Sequence, residues 1–138
     1  MHVFTYGSLM FEKVWKRVVL GKYENHMGTL HGYRRRCLKN ETYPVAFEGS
    51  THERIWGRVY FDLSKEDLER LDVFEGSQYL RQKVDIVLDD GRKIEANVYI
   101  LKEEYYDEIN DNPWDSEWFE HVGMAQFLEK YQGFDEVS

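Results

Sequence analysis

A mixed α/β fold, a small and strongly curved mixed sheet flanked by helices, is what this 138-residue chain predicts. Three observations lead there. Short β-branched and aromatic runs are interspersed with helical spacings, without a regular βαβ alternation. An Asp-Gly step at Asp90-Gly91 joins two alternating runs, which is a strong hairpin signal. Ten Tyr and four Trp supply the bulk that fills the space between strands in a small β-rich domain. With 42% apolar and 16% aromatic residues the chain can bury one core, and its length suits a single domain over residues 1–138.

His2 to Tyr6 (HVFTY) reads as a first strand that stops at Gly7-Ser8. Phe11, Val14, Trp15, Val18 and Val19 then fall at helical spacing, and Gly21 supplies the stop. Thr29 to Leu38 reads as one strand in which Gly32 breaks the side-chain pattern, and Tyr43-Pro44-Val45 as an extended corner. Ile55 to Asp62 is a strand. Ser64 then caps a helix with Asp67 three residues on, and Leu63 can staple against Leu68. That helix turns Leu68, Leu71 and Phe74 inward and ends near Gly76. Tyr79 to Leu88 and Lys93 to Leu101 form the hairpin, with Ile94, Ala96, Val98 and Ile100 facing the core. Lys102 to Asp115 is an acidic segment in which Asn112-Pro113 marks a loop. Asp115 or Ser116 caps a last helix to about Tyr131, with Gly133 beyond its end.

The formal net charge of −8 and pI near 5.1 argue against general nucleic-acid binding, which rests on cations meeting phosphates. Arg34-Arg35-Arg36 is the one basic cluster. On a strand Arg34 and Arg36 share a face and Arg35 takes the other, either as a charged solvated edge or as a carboxylate contact at a site mouth. Cys37 is the single cysteine, which excludes an intramolecular disulfide and reads as a small buried apolar residue. No signal-peptide pattern opens the chain and no apolar run is long enough to span a bilayer, so the expectation is a cytoplasmic protein with no membrane partner. The five histidines show no paired metal-ligand spacing, and no metal or cofactor is expected.

Two segments carry chemistry. Tyr6-Gly7-Ser8-Leu9 runs a strand through a glycine turn into a helix, where free backbone N–H groups can hold a carboxylate or an oxyanion. Such turns are also routine structure. Leu71-Asp72-Val73-Phe74-Glu75-Gly76, followed by Tyr79 and Arg81, places a carboxyl group at a helix C-terminus beside an aromatic ring. The helix dipole and exclusion of water both favour its neutral form, as acid/base work near neutral pH requires. The competing reading is a surface glutamate with Arg81 as its ion pair.

Taken together, VFTYGSL, LHGYRRR with Tyr43-Pro44, WGRVYFDLSKEDLERLDVFEGSQYLR and WDSEWFEHVGMAQFL resemble the γ-glutamylcyclotransferase-like superfamily, especially its AIG2-like branch. The likeness covers nearly the whole chain in order. It implies a γ-glutamylcyclotransferase-like fold: a compact, barrel-like α/β domain with a cavity at its mouth. Glu75 matches the family's catalytic glutamate, and Tyr6, Gly7, Ser8 and Leu9 match its substrate-binding loop. Tyr79 and Arg81 match supporting residues. The implied activity is cofactor-independent release of 5-oxoproline from a small γ-glutamyl peptide or amine. Met10-Phe11-Glu12 departs from the basic, Gly-containing stretch of the γ-glutamylamine branch. The alternatives are a domain of the same fold that binds a small ligand without turnover, or one whose Trp114, Trp118 and Phe119 form an exposed interaction surface.

Overall fold

Eight strands form two sheets in the computed structural model, which describes residues 1–137. Strands β1 (Val3–Thr5), β2 (Asn25–His31), β5 (Arg54–Tyr60), β6 (Tyr79–Leu88) and β7 (Lys93–Leu101) close a barrel in the order β1-β5-β2-β6-β7. Closure comes from β7 returning parallel to β1, with Val3 opposite Asn97. Asn97 secures this seam by donating to the His2 carbonyl from its backbone at 2.8 Å and its side chain at 3.1 Å. A second sheet, in the order β4-β3-β8, holds β3 (Tyr33–Leu38), β4 (Pro44–Glu48) and β8 (Ile109–Asn110).

The pleat sends alternate side chains to two cores. Phe4, Leu30, Ile55, Val59, Ile86 and Val98 fill the barrel. Val3, Tyr60, Tyr99 and Leu101 leave its wall and meet the helices α1 (Glu12–Val18) and α2 (Lys65–Glu75) through Val14, Val18, Leu71 and Phe74. Each fully buried Leu or Phe contributes about 1.5–3 kcal/mol relative to exposure. The last helical stretch runs through α3 (Ser116–Trp118), a π turn at Phe119–Gly123 and α4 (Met124–Lys130), followed by α5 (Gly133–Val137). Phe119 and Phe127 anchor it to the outer core.

Ser64 caps α2 by accepting from the Asp67 N–H at 3.1 Å, and Asp115 caps α3. The hairpin bounds match the sequence reading. Thr29 to Leu38, in contrast, is two strands in two sheets, parted at Gly32 with φ +85°. Pro44 opens a strand instead of marking only a corner, and the acidic segment contains a 3₁₀ turn and β8. The three-aromatic surface is contradicted: Trp114 and Phe119 are buried, and of the three only Trp118 is exposed. Arg34 and Arg36 both engage Glu53 and Asp111 of the chain itself, which accounts for their shared face. Among the described residues no helix is long and apolar enough to cross a membrane.

Where β5 passes β1, a Cβ at Gly57 would stand 2.1 Å from the Thr5 carbonyl and 2.7 Å from the Phe4 ring. Both neighbours are fixed by the barrel. Gly57→Ala therefore loses roughly 1–3 kcal/mol of stability, read from urea unfolding; a change under about 0.5 kcal/mol, as at a plain surface site, contradicts this packing.

Candidate active site

The two segments singled out in the sequence face each other across one pocket. Tyr6, Gly7, Ser8 and Leu9 line one side and Phe74, Glu75 and Tyr79 the other, around a narrow cavity of about 30 Å³. The first wall forms because the β1 ladder ends at Thr5, and the chain then winds a 3₁₀ turn over Ser8–Met10. Met10 and Phe11 donate to the carbonyls of Gly7 and Ser8 at 3.0 and 3.2 Å. Among the described residues, the backbone N–H groups of Gly7, Ser8 and Leu9 meet no protein acceptor. They are the free donors expected where a helical turn begins.

The second wall is the carbonyl end of α2. Gly76 ends the helix at φ +88°, a left-handed position suited to glycine. From α4's far end, the Tyr131 hydroxyl donates to the Phe74 carbonyl at 3.0 Å and the Glu75 carbonyl at 3.3 Å, closing off that terminus. Glu75 is half-buried and, among the described residues, its carboxyl group has no hydrogen bond or ion pair. Removal from water, and secondarily the charge of Asp72, push it up to about 8.

Asp67 on the same helix shows what makes the difference. Burial alone would raise it too, but the Tyr23 hydroxyl and the Leu20 and Gly21 N–H groups hydrogen-bond its carboxylate at 2.6 to 2.9 Å. Those bonds win, and its proton affinity is lowered.

Sequence reasoning allows Arg81 to pair with Glu75. The structure gives it to Asp72 instead, Nε to carboxylate at 3.0 Å, with the Tyr99 hydroxyl donating to the same oxygen at 2.7 Å. Arg81 is thus a neighbour of the site through Asp72, and no Lys, Arg or His lines the pocket. Tyr79 does reach it.

Besides Phe4, Thr5, Pro44 and Phe127, the part of the lining that the sequence reading did not assign to the site holds three phenols: Tyr43, Tyr99 and Tyr131. Tyr43 was visible only as part of a Tyr-Pro corner. Tyr99 lies on the β7 face opposite the expected core face, and Tyr131 read only as part of the partly apolar face of the last helix. With Tyr6 and Tyr79 they surround Glu75 with phenols, all held above the usual tyrosine range chiefly by burial. The hydroxyls of Tyr43 and Tyr79 have no hydrogen-bond partner among the described residues and remain available to a ligand. A wider, more polar mouth shares Tyr43, Glu75 and Tyr79 with the pocket and adds Gln78, Gln126 and Lys130. Glu75 stands where the two meet. Among the described residues no three His, Cys, Asp or Glu side chains are grouped to hold a metal ion.

This arrangement sets a half-buried, unpaired carboxyl group opposite backbone donors across a narrow pocket, a layout fit for proton transfer beside a developing negative charge. Comparison with known proteins agrees on the fold. The chain is 28% identical to AIG2-like protein D of Arabidopsis thaliana over 99% of its length and 90% of that protein's. It is 30% identical to Protein AIG2 C of the same plant, covering 95% of this chain and 79% of the relative. A solution structure of an Arabidopsis thaliana protein matches with TM-score 0.70 at 28% identity, over 93% of this chain and 85% of its own. A solved γ-glutamyl cyclotransferase superposes with TM-score 0.68 over 100% of this chain and 88% of its own; at 17% identity that likeness carries the fold alone. The family model for γ-glutamyl cyclotransferase, AIG2-like, matches residues 3–118, and the chain belongs to that family.

Proposed function

We propose that the protein is a γ-glutamylcyclotransferase that releases 5-oxoproline from a small γ-glutamyl compound, with Glu75 as the acid/base. The observation that carries this reading is the unpaired Glu75 carboxyl, raised to about 8 and facing the free N–H groups of Gly7, Ser8 and Leu9 across one pocket. Family membership supports the reaction class.

In the proposed sequence, ionised Glu75 takes a proton from the substrate α-ammonium group. The freed amine attacks the γ-carbonyl carbon of the same molecule and closes a five-membered ring. The carbonyl oxygen takes up the displaced electron pair, and the loop N–H groups stabilise it or hold the substrate carboxylate. Glu75 then protonates the departing nitrogen, the carbon–nitrogen bond breaks, and the ring nitrogen gives up its second proton. Attack within one molecule draws on effective molarities of about 10⁵–10⁸ M, and one positioned acid/base adds roughly 10²–10⁴-fold. The ring of phenols keeps water away while Tyr43 and Tyr79 offer hydrogen bonds. The leaving group extends into the polar mouth by Gln78, Gln126 and Lys130. No step calls on a metal or cofactor.

Glu75→Gln keeps the shape and loses the proton. Its 5-oxoproline release from a γ-glutamyl panel should fall at least 10²-fold; activity near wild type would sink the assignment, and turnover by no compound at all in the wild type would favour a binding domain.

Because ionised Glu75 and a protonated substrate α-amine are both needed, kcat/KM should rise about tenfold per pH unit well below about 8, and stop rising and then fall once the substrate α-ammonium group loses the proton that Glu75 passes on. A flat profile between about pH 6 and 9 contradicts that.

Stability carries the same signature. A carboxyl that holds its proton more tightly when folded stabilises the fold below its ordinary value of 4.5 and loses that contribution as pH rises toward about 8. The melting temperature of Glu75→Gln should therefore exceed that of wild type by more at about pH 9 than at about pH 5. An equal difference at both would remove desolvation as the cause.

A further inference from the structure

The Tyr6–Leu9 loop has a support that the proposed reaction does not use. Arg35 extends from β3 on the face opposite Arg34 and Arg36, outside the pocket lining. Its Nη1 donates to the Tyr6 carbonyl at 2.9 Å and to the Trp56 carbonyl at 3.3 Å. The guanidinium carbon stands 5.1 Å from the centre of the buried Trp114 ring. Trp114 is itself tied down by its indole N–H, which donates to the Thr42 carbonyl at 2.9 Å, next to the lining residue Tyr43. Arg35 is therefore held between a fixed ring and the point where β1 leaves its ladder with β5.

In a trans peptide the carbonyl of one residue and the N–H of the next point in opposite directions. A guanidinium that holds the Tyr6 carbonyl from outside turns the following N–H, that of Gly7, the other way. We infer that Arg35 is a positioning residue, fixing the Tyr6–Gly7 peptide from behind so that the Gly7 N–H is presented to the pocket. The same bond polarises the peptide and strengthens that N–H as a donor. It also places a positive charge behind a pocket whose lining has no cationic side chain. The inference rests on the reading of Gly7, Ser8 and Leu9 as the anion-holding loop.

The test uses the full chain with Arg35→Met, which keeps the apolar stem over Trp114, and Arg35→Lys, which keeps the charge. The residual dipolar coupling of the Gly7 N–H reports that bond's orientation without any ligand. In Arg35→Met it should change while the couplings of Ala96 and Val98 in the barrel stay as in wild type, and Arg35→Lys should restore it. With a γ-glutamyl compound that wild type turns over, kcat/KM of Arg35→Met should drop about 10²–10³-fold, the effect of losing one oxyanion donor. Arg35→Lys should recover at least a tenfold part of that loss.

A Gly7 coupling unchanged in folded Arg35→Met, or an unchanged kcat/KM, overturns the assignment and leaves Arg35 as a purely structural tie. If wild type turns over nothing, the proposed reaction fails, and the Gly7 coupling alone then decides for or against Arg35. Where Met at position 35 does not fold, Arg35→Gln, too short to hold the Tyr6 carbonyl, is read in the same way.

Discussion

Two carboxyl groups on α2 are drawn away from water, Asp67 fully and Glu75 in part, and only Asp67 is compensated. Asp67 receives three hydrogen bonds and joins α2 to the loop after α1, so its charge is a structural tie. Glu75, two turns further on, receives none from the described residues. Its helix end is closed by Tyr131, and the cation within reach of the segment, Arg81, is held by Asp72. An uncompensated carboxyl group under these conditions keeps its proton to high pH. In the proposed reaction such a group is poised between acid and base, with Tyr6, Tyr43, Tyr79, Tyr99 and Tyr131 around it.

The barrel exists, in this sense, to bring that helix end opposite the Tyr6–Leu9 turn. β1 carries the turn, and its position is set by antiparallel pairing with β5 and by the parallel seam with β7. Gly57 permits the close passage of β5 behind Phe4 and Thr5. α2 is laid against the outer wall by Leu71 and Phe74, so packing and site geometry share residues. Phe74 anchors the core and lines the pocket at once. The small sheet completes the frame by supplying Arg35 from β3, with Tyr43 in the bend just before β4.

Much of this was legible in the chain because the signals were local. Ser64 with Asp67, the Asp90-Gly91 turn and the alternation in β7 each fix an element within a few residues. Glu75 and the Tyr6–Leu9 segment each have a local signature, a helix end beside an aromatic ring and a strand breaking into a turn, but such features are also routine structure, and it was the family resemblance joining the two across the chain that singled them out. What escaped were features decided by distant packing. Gly32 signalled a break, but only the barrel's closure shows that the break separates two sheets. Tyr99 is on the face away from the expected core because β7 is covered on both sides, and Trp114 is buried because Arg35 and Thr42 receive it. The pairing of Arg81 with Asp72 turned on which of two nearby carboxylates it meets, a choice that spacing leaves open.

The central claim is that Glu75 is desolvated and unpaired, and a direct titration tests it without reference to any substrate. Side-chain carboxyl carbon shifts of the glutamates, followed by NMR across pH with Glu75→Gln to identify the resonance, give its midpoint. A desolvated, unpaired carboxyl gives a midpoint near 8. A midpoint near the ordinary 4.5 would mean that water or a cation reaches the group in solution, and would contradict it.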